Sequence, residues 1–241
     1  MEEVSALKAR IKFKKYGAMK FIGHLDIMRY FQKAMRRADI PIAFSGGYSP
    51  HMIMSFANPL GVGVTSDGEY FDIELTEPIA SDIAVKRLND VMVEGMEIVS
   101  FVEISEDKKK TGMAIVSAAD YISSVKSGKL PVDWKEKAKD FISQDEILIT
   151  KKTKKSEKEV NIKPMIYRFE VREDSIYSLV ATGSVENLKP GLVMEAFVRY
   201  LGIDMSSLTF SHHRLEVYAD VGTEENRELV SLESLGTKIE A

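Results

Sequence analysis

Apolar residues in segment 5–104 change from a period of two to a helical period and back, in the order strand, helix, strand, strand, helix, strand. This order is the ferredoxin-like split βαβ pattern, in which helices cover one face of an antiparallel sheet and leave the other face open. The predicted elements that carry the pattern are a strand at 7–13, a helix at 24–38, a strand at 70–75, a helix capped by Ser81 and a strand at 97–104.

A similar pattern follows in the second half of the chain. A helix capped by Asp133, with Glu136 in a capping box, lies between predicted strands, and a second helix runs from Pro190 to Gly202. The 241 residues, 44% of them hydrophobic, suffice for two domains of ordinary size. We therefore predict an α+β protein of two tandem ferredoxin-like lobes. The predicted boundaries are a lobe at 1–104, a linker at 105–118, a lobe at 119–221 with a basic hairpin, and an acidic tail at 222–241 that forms a short helix or is disordered.

Basic residues are concentrated near the start of the chain, although the net charge is −4. Residues 1–54 contain ten Lys/Arg and four Asp/Glu, whereas residues 60–107 contain two and twelve. This segregation predicts a cationic surface on an otherwise acidic protein. The candidate RNA-contacting residues are Lys8, Arg10, Lys12 and Lys14 on the open face of the first strand, Lys33, Arg36 and Arg37 on the first helix, and Lys151, Lys152, Lys154 and Lys155 on the hairpin.

Aromatic residues close to the first two basic elements would suit RNA. Tyr16, Tyr48 and Phe56 are the candidates for stacking, and sheets that combine cations with aromatic side chains bind single-stranded or looped RNA. The plainer interpretation of each basic element is a solvated surface, because basic helix faces are common.

The complete lack of cysteine excludes several chemistries for these 241 residues. Disulfides, thiolate nucleophiles and the three-cysteine site of a radical S-adenosylmethionine (SAM) enzyme all require cysteine. The glycines form no nucleotide-binding fingerprint, and we predict no cofactor and no bound metal. No apolar run is long enough to span a bilayer and the start lacks a signal peptide's apolar region, so we expect a cytoplasmic protein without membrane contacts.

The four histidines lie where the regular pattern breaks. His24 begins the first helix, His51 ends the SGGYSP loop, and His212 and His213 precede Arg214 in the last strand. The plain interpretation is a helix cap or a surface residue. Two alternatives remain open: a metal site that combines histidines with Asp26, and a metal-free nuclease in which His24 or His51 is the general base beside Arg29.

Three segments resemble a bacterial radical-SAM-linked protein family. They are GHLDxxR at 23–29, GGYSPH at 46–51 and SFANPL at 55–60, and ITKKTKKSEKEVNIKPMI and SHHRLEVY extend the resemblance over nearly the whole chain. Members occur alone or fused behind a cobalamin-binding radical SAM protein, so the resemblance implies an accessory role beside a separately encoded radical SAM protein. The motif-site candidates are His24, Asp26, Arg29, Ser45, Tyr48, His51, Ser55, His212, His213 and Arg214.

These observations lead to three functional hypotheses. The first is an RNA-binding or substrate-presenting partner of a radical SAM enzyme that acts on tRNA or rRNA, with no catalysis of its own. The second is a histidine-dependent enzyme that processes or modifies RNA. The third is a protein-interaction module that does not bind nucleic acid.

Overall fold

The computed structural model describes residues 7–152, 157–223 and 226–240. The protein is of the α+β type, with a large, mostly antiparallel sheet and few helices. The chain divides into two units: unit 1 is Met1–Ser117 together with Glu216–Ala241, and unit 2 is Ala118–Leu215. No helix in the described part of the chain has the length and apolar character needed to cross a membrane.

The elements follow each other in the predicted alternation of strands and helices. In chain order they are β1 (Leu7–Lys15), α1 (His24–Arg37), β2 (Met54–Phe56), β3 (Thr65–Leu75), α2 (Ser81–Asn89), β4 (Met96–Ile104), α3 (Gly112–Ile115), β5 (Val116–Ser127), α4 (Trp134–Ser143), β6 (Leu148–Lys152), β7 (Glu157–Asn161), β8 (Ile166–Arg172), β9 (Ser175–Ala181), α5 (Pro190–Tyr200), β10 (Thr209–Asp220) and β11 (Leu229–Ser231).

In unit 1 the strands lie in the order β4-β1-β3-β2, and every neighbouring pair is antiparallel. Ala9, Ile11 and Phe13 of β1 are buried in one apolar cluster with residues of α1 and α2, because the alternation turns them to the same face. Phe13, Phe31, Phe56 and Phe71 form the aromatic centre of this cluster, with ring centroids 4.6 to 6.2 Å apart. Phe56 is therefore a core residue, and its prediction as a stacking group is wrong.

The predicted linker at 105–118 and part of the predicted tail both lie on the face of this sheet opposite the apolar cluster. Residues 105–118 do not behave as a free linker, because Gly112 is buried and its N–H donates to Asp72 Oδ2 at 2.7 Å. Leu232, in the predicted tail, is fully buried and its carbonyl accepts from Arg10 at 3.1 Å. The face that the split βαβ pattern predicts to be open is thus covered by the chain itself.

The end of the chain also closes unit 1 at its edges. β11 pairs with the last residues of β10, and Thr237 exchanges backbone hydrogen bonds with Glu103 of β4. Ile239 is buried in the core, and its N–H donates to the hydroxyl of Ser81 at 2.9 Å. The part of the predicted tail at 229–240 is therefore not disordered: it forms β11 and a short 3-10 helix at Leu232–Leu235. Ser81 is not a helix cap either, because Ala80 holds the cap position. The Ser81 hydroxyl instead accepts the hydrogen bond from Ile239 N–H.

In unit 2 the strand order is β10-β5-β9-β8, and α4 and α5 pack on the sheet through Phe141, Phe169 and Phe197. Apart from the added hairpin β6–β7, this repeats the order of unit 1, with the fourth strand beside the first. The capping box predicted at Asp133 does not form, because its carboxylate pairs with Lys137 at 2.9 Å and caps no backbone N–H.

Candidate nucleic-acid interface

Arg10, predicted on an open cationic strand face, lies inside unit 1 with a side chain that is 1% exposed. Its Nε and Nη2 donate to the two carboxylate oxygens of Asp72 at 2.8 and 3.0 Å. Nη1 donates to the carbonyl of Leu232 and Nη2 to that of Lys110, each at 3.1 Å. Every guanidinium nitrogen therefore already has a protein acceptor, and no phosphate can reach the group without unfolding this face.

Lys12 is also neutralised. Its Nζ contacts Glu216 at 2.6 Å and Glu233 at 2.5 Å, and its side chain is only 12% exposed. Burial alone would lower the pKa of Lys12, but the hydrogen bonds to the two glutamates outweigh it and raise the pKa. Tyr70 donates to Glu216 at 2.7 Å, and burial followed by this carboxylate raises the pKa of Tyr70. Two carboxylates around one ammonium make this part of the face acidic.

The other two of the four cations predicted on this face of β1 are tied to the protein as well. Lys14 pairs with Glu97 at 3.1 Å across the β1–β4 ladder, and Lys8 donates to the carbonyl of Glu106 at 2.9 Å. The prediction of an open cationic strand face is wrong, because acids opposite β1 and from distant segments occupy it. The alternating acids of β3, with Asp72 directly across from Arg10, were a signal of this in the sequence.

α1 presents the cations that the sequence predicts on it. Arg29, Lys33, Arg36 and Arg37 are all exposed, and they recur every three or four residues along the side of the helix that faces away from the core. Arg29 has a weak contact with Asp26 at 3.4 Å, with both side chains about two-thirds exposed. Among the described residues, no carboxylate pairs with Lys33, Arg36 or Arg37. We call these four cations the α1 stripe.

His24 is the first residue of α1 and follows Gly23, which holds the cap position without a capping side chain. Its ring meets the face of Phe56 at a centroid distance of 5.1 Å. Burial, and then the charge of Lys15, lower the pKa of His24, so the imidazole is neutral at pH 7. His24 also lines a cavity of about 10 Å³ together with the buried Lys15 and Glu69, and that volume holds about one water. A neutral imidazole here can accept a proton or a hydrogen bond.

The loop at 45–51 is closed on itself at its base. Ser45 N–H donates to the His51 carbonyl, His51 N–H donates to Ser45 Oγ, and Ser45 Oγ lies 2.8 Å from His51 Nδ1. Tyr48 is fully exposed at the tip, next to Gly47 with a φ of +94°. The loop therefore displays Tyr48, while His51 is engaged with Ser45. Ser55 is half-buried in β2, across from Asp72.

The motif candidates of the last strand belong to the interior of unit 2. His212 Nδ1 lies 2.8 Å from the hydroxyl of the buried Ser123, and burial lowers the pKa of His212. Arg214 is buried and donates to Tyr121 Oη at 3.1 Å. His213 is half-buried. His24, His51 and His212 are thus held by different partners, and no group of three or more potential metal ligands occurs among the described residues.

The basic hairpin is described only in part. Lys151 and Lys152 end β6, where their backbones pair with Lys158 and Glu157 of β7, and nothing is described of their side chains. The hairpin is present as predicted. Lys154 and Lys155 lie outside the described residues.

Sequence reasoning missed an exposed apolar surface beside the α1 stripe. Phe21 is 63% exposed at the end of a short 3-10 helix, and Leu25 is 62% exposed on the first turn of α1. Val62 belongs to the same surface, because the next residue, Gly63, donates its N–H to the carbonyl of Lys20 at 2.8 Å. Helical spacing predicts Leu25 on the buried side, and this is wrong. The available signal was that Leu25 lies four residues before Arg29, on the cationic side of α1.

A larger cavity of about 340 Å³ lies in unit 1, lined by Arg10, Ile104, Ile115, Ala219 and Leu235 among others. Its size falls within the range of small-molecule sites. The guanidinium at its wall, however, is fully engaged with Asp72 and two carbonyls, so Arg10 has no free donor for a ligand in this cavity. The α1 stripe and the apolar surface next to it are the stronger candidate site.

The fold and this surface define an α+β protein with a cationic helix face. Residues 8–190 match the model of the family described as "Uncharacterized protein conserved in bacteria (DUF2344)", and the chain belongs to that family. No curated protein matches the chain. Among solved structures, it is similar to a chain of a Cbf5-Nop10-Gar1 complex, with 10% identity and a TM-score of 0.46. The similarity covers 87% of this chain and 48% of the other, so this chain spans about half of that chain's length.

Proposed function

We propose that this protein is an RNA-binding accessory protein of two ferredoxin-like lobes, which presents tRNA or rRNA to a radical SAM enzyme carried on another polypeptide. The lobe assignment is supported by the shared strand order of the two units, with the fourth strand beside the first and the third beside the second. The α1 stripe binds the RNA backbone.

The observation that carries the proposal is the contrast between the two groups of cations in unit 1. The cations predicted on the face of β1 are bonded to carboxylates and carbonyls, whereas the α1 stripe is exposed and, within the described residues, has one ion pair, the weak contact of Arg29 with Asp26. Exposed cations that repeat along one helix side can each neutralise a phosphate and release its counterions. A protein with a net negative charge can still have such a cationic site, because electrostatic interactions between exposed charges more than about 10 Å apart are largely screened at salt concentrations near physiological.

The proposed partner follows from the family resemblance and from composition. The 241 residues contain no cysteine, so the cluster-binding thiolates of a radical SAM reaction must come from outside these residues. The chain should co-purify with a cobalamin-binding radical SAM protein when the two are co-expressed. Loss of the complex upon nuclease treatment would mean that RNA bridges them; absence of any complex would remove this part of the proposal.

Fluorescence anisotropy with labelled bulk tRNA across a salt series tests RNA binding. Four phosphate contacts, at 0.7 to 0.9 per contact, give a slope of log K against log salt of about −3, or roughly 60-fold weaker binding at 200 mM than at 50 mM. The variant Lys33→Gln/Arg36→Gln/Arg37→Gln should reduce the slope to about −1.

A matched control removes the same number of positive charges from a different surface, in unit 2. Lys126, Lys129 and Lys139 are exposed in unit 2, and their triple change to Gln should leave the slope near −3. A wild-type affinity that is millimolar and independent of salt contradicts the proposal. An equal loss in both triple variants contradicts the assignment to α1 and favours a diffuse effect of net charge.

A further inference from the structure

We propose that Phe21, with Leu25 and Val62 around it, is a stacking platform for an unpaired nucleobase, so that the RNA bound along α1 is single-stranded or looped at this end. This inference rests on the proposed RNA-binding function and names the substrate class for the same surface. The three side chains are each more than 60% exposed.

The first argument for the platform is its position relative to the cations of α1. Leu25, Arg29 and Lys33 follow one another at intervals of four residues, which places them in one row of α1. Phe21 ends the 3-10 helix, and the two extended residues Ile22 and Gly23 separate it from the first turn of α1. Successive positions along α1 in this row are about 6 Å apart, at 1.5 Å per residue. A single RNA strand whose phosphates follow the cations of α1 therefore has a base near the exposed Phe21 ring where the RNA passes the start of α1.

The second argument is the chemistry of the Phe21 ring. Lys20 Nζ lies 5.2 Å from the centroid of the Phe21 ring, so the ring is associated with a cation while most of it stays open to solvent. Aromatic rings flanked by cations are the common device for holding unpaired bases, because every base has a π-face and its phosphate is anionic. Asp26, an exposed acid in the first turn of α1, is already in contact with Arg29.

A paired base cannot use this platform. In an RNA duplex the bases are stacked on each other, and a protruding side chain meets only phosphates, 2′-hydroxyls and groove edges. A protein partner would be the other occupant of an exposed apolar surface. The Lys20 ammonium next to the ring and the α1 stripe farther along the helix favour a polyanion with planar apolar groups, which is unpaired RNA.

The test compares a 12-nucleotide single strand with a 12-base-pair duplex, using wild type, Phe21→Ala and Phe21→Trp. We expect Phe21→Ala to weaken single-strand binding at least fivefold, because stacking on an aromatic side chain is worth about 1 kcal/mol or more per base. Duplex binding should change less than twofold, and the salt slope should stay the same because no charge is removed. Phe21→Trp should retain single-strand binding.

A double-mutant cycle locates the stacked base. One abasic nucleotide, moved along the strand, should at one position weaken wild-type binding as much as Phe21→Ala does, and at that position the two changes should not add. The matched control is Val185→Ala, since Val185 is an exposed apolar residue in unit 2, with 96% exposure against 63% for Phe21. It should leave all affinities unchanged.

The outcomes separate this inference from the proposed function. Absence of salt-dependent binding by the wild type overturns both. Salt-dependent binding that Phe21→Ala leaves unchanged, or weakens equally for single strand and duplex, overturns the platform alone. Loss of a co-purifying protein in Phe21→Ala, with RNA affinity intact, also overturns it and makes the surface a protein-docking site.

Discussion

Replacing Asp72 by alanine should strongly destabilise unit 1. The carboxylate accepts two hydrogen bonds from Arg10 and one from Gly112 N–H, at 2.7 to 3.0 Å, and Arg10 is almost completely buried. Removing it leaves a guanidinium charge without a counter-ion inside the protein. Breaking a buried ion pair from one side costs about 3–5 kcal/mol.

The expected size of the effect is measurable by thermal unfolding followed by circular dichroism. For a chain of 150–250 residues, 1 kcal/mol lowers the Tm by about 2–4 °C, so Asp72→Ala should lower it by about 6–20 °C. The matched control is Asp90→Ala, which removes the exposed pair of Lys86 and Asp90 at 2.7 Å on α2. Such a pair contributes about 0.3–0.5 kcal/mol, so the Tm should fall by 2 °C or less.

The same experiment checks the interpretation of the charged face. If Asp72→Ala and Asp90→Ala lower the Tm equally, Arg10 is accessible to water, and the argument that excludes it from RNA binding is refuted. A replacement of both partners by apolar residues, Arg10→Met with Asp72→Leu, should recover a large part of the loss, because neither charge then remains buried.

Two further predictions concern the interior of each unit. Burial lowers the pKa of His212 below its ordinary 6.5, so the unfolded chain binds the proton first and stability falls as the pH drops below about 6.5; His212→Gln should therefore narrow the difference in Tm between pH 7.5 and 5.5, and an unchanged difference would contradict the burial argument. Ile239→Ala should lower the free energy of unfolding by about 2–5 kcal/mol in urea titrations, because Ile239 lies in the core of unit 1; the exposed Leu235 provides the control, and equal effects of Leu235→Ala and Ile239→Ala would show that the chain end is not packed.

Periodicity predicted the elements well, because it is a local property. The alternation from Leu7 onwards gave β1, and the apolar spacing after His24 gave α1 with an end only one residue from the observed one. The exposed cations of α1 were predictable for the same reason. A single helix turn decides which way those side chains point, and it needs no information from the rest of the chain.

The environment of the other cations was not predictable from local pattern. Arg10 is bonded to residues 62, 100 and 222 positions away, and Lys12 to glutamates more than 200 positions away. Alternation shows that these side chains share a face, but it does not show that distant segments will cover that face. The exposure of Leu25 was missed for a related reason, since the first turn of a helix can extend past the sheet it packs on.

Unit 1 is built from two separate parts of the sequence, and this imposes an order on folding during synthesis. When the ribosome has added residue 117, Arg10 still lacks the carbonyl of Leu232, and Lys12 lacks both of its glutamates. Roughly 120 more residues must follow, which takes about 6–24 s at 5–20 residues per second. Unit 2 is continuous and has its whole sequence first. Until the last residues of unit 1 are synthesised, the nascent sheet therefore carries the positive charge of Lys12 without its two carboxylates, although Arg10 can already pair with Asp72.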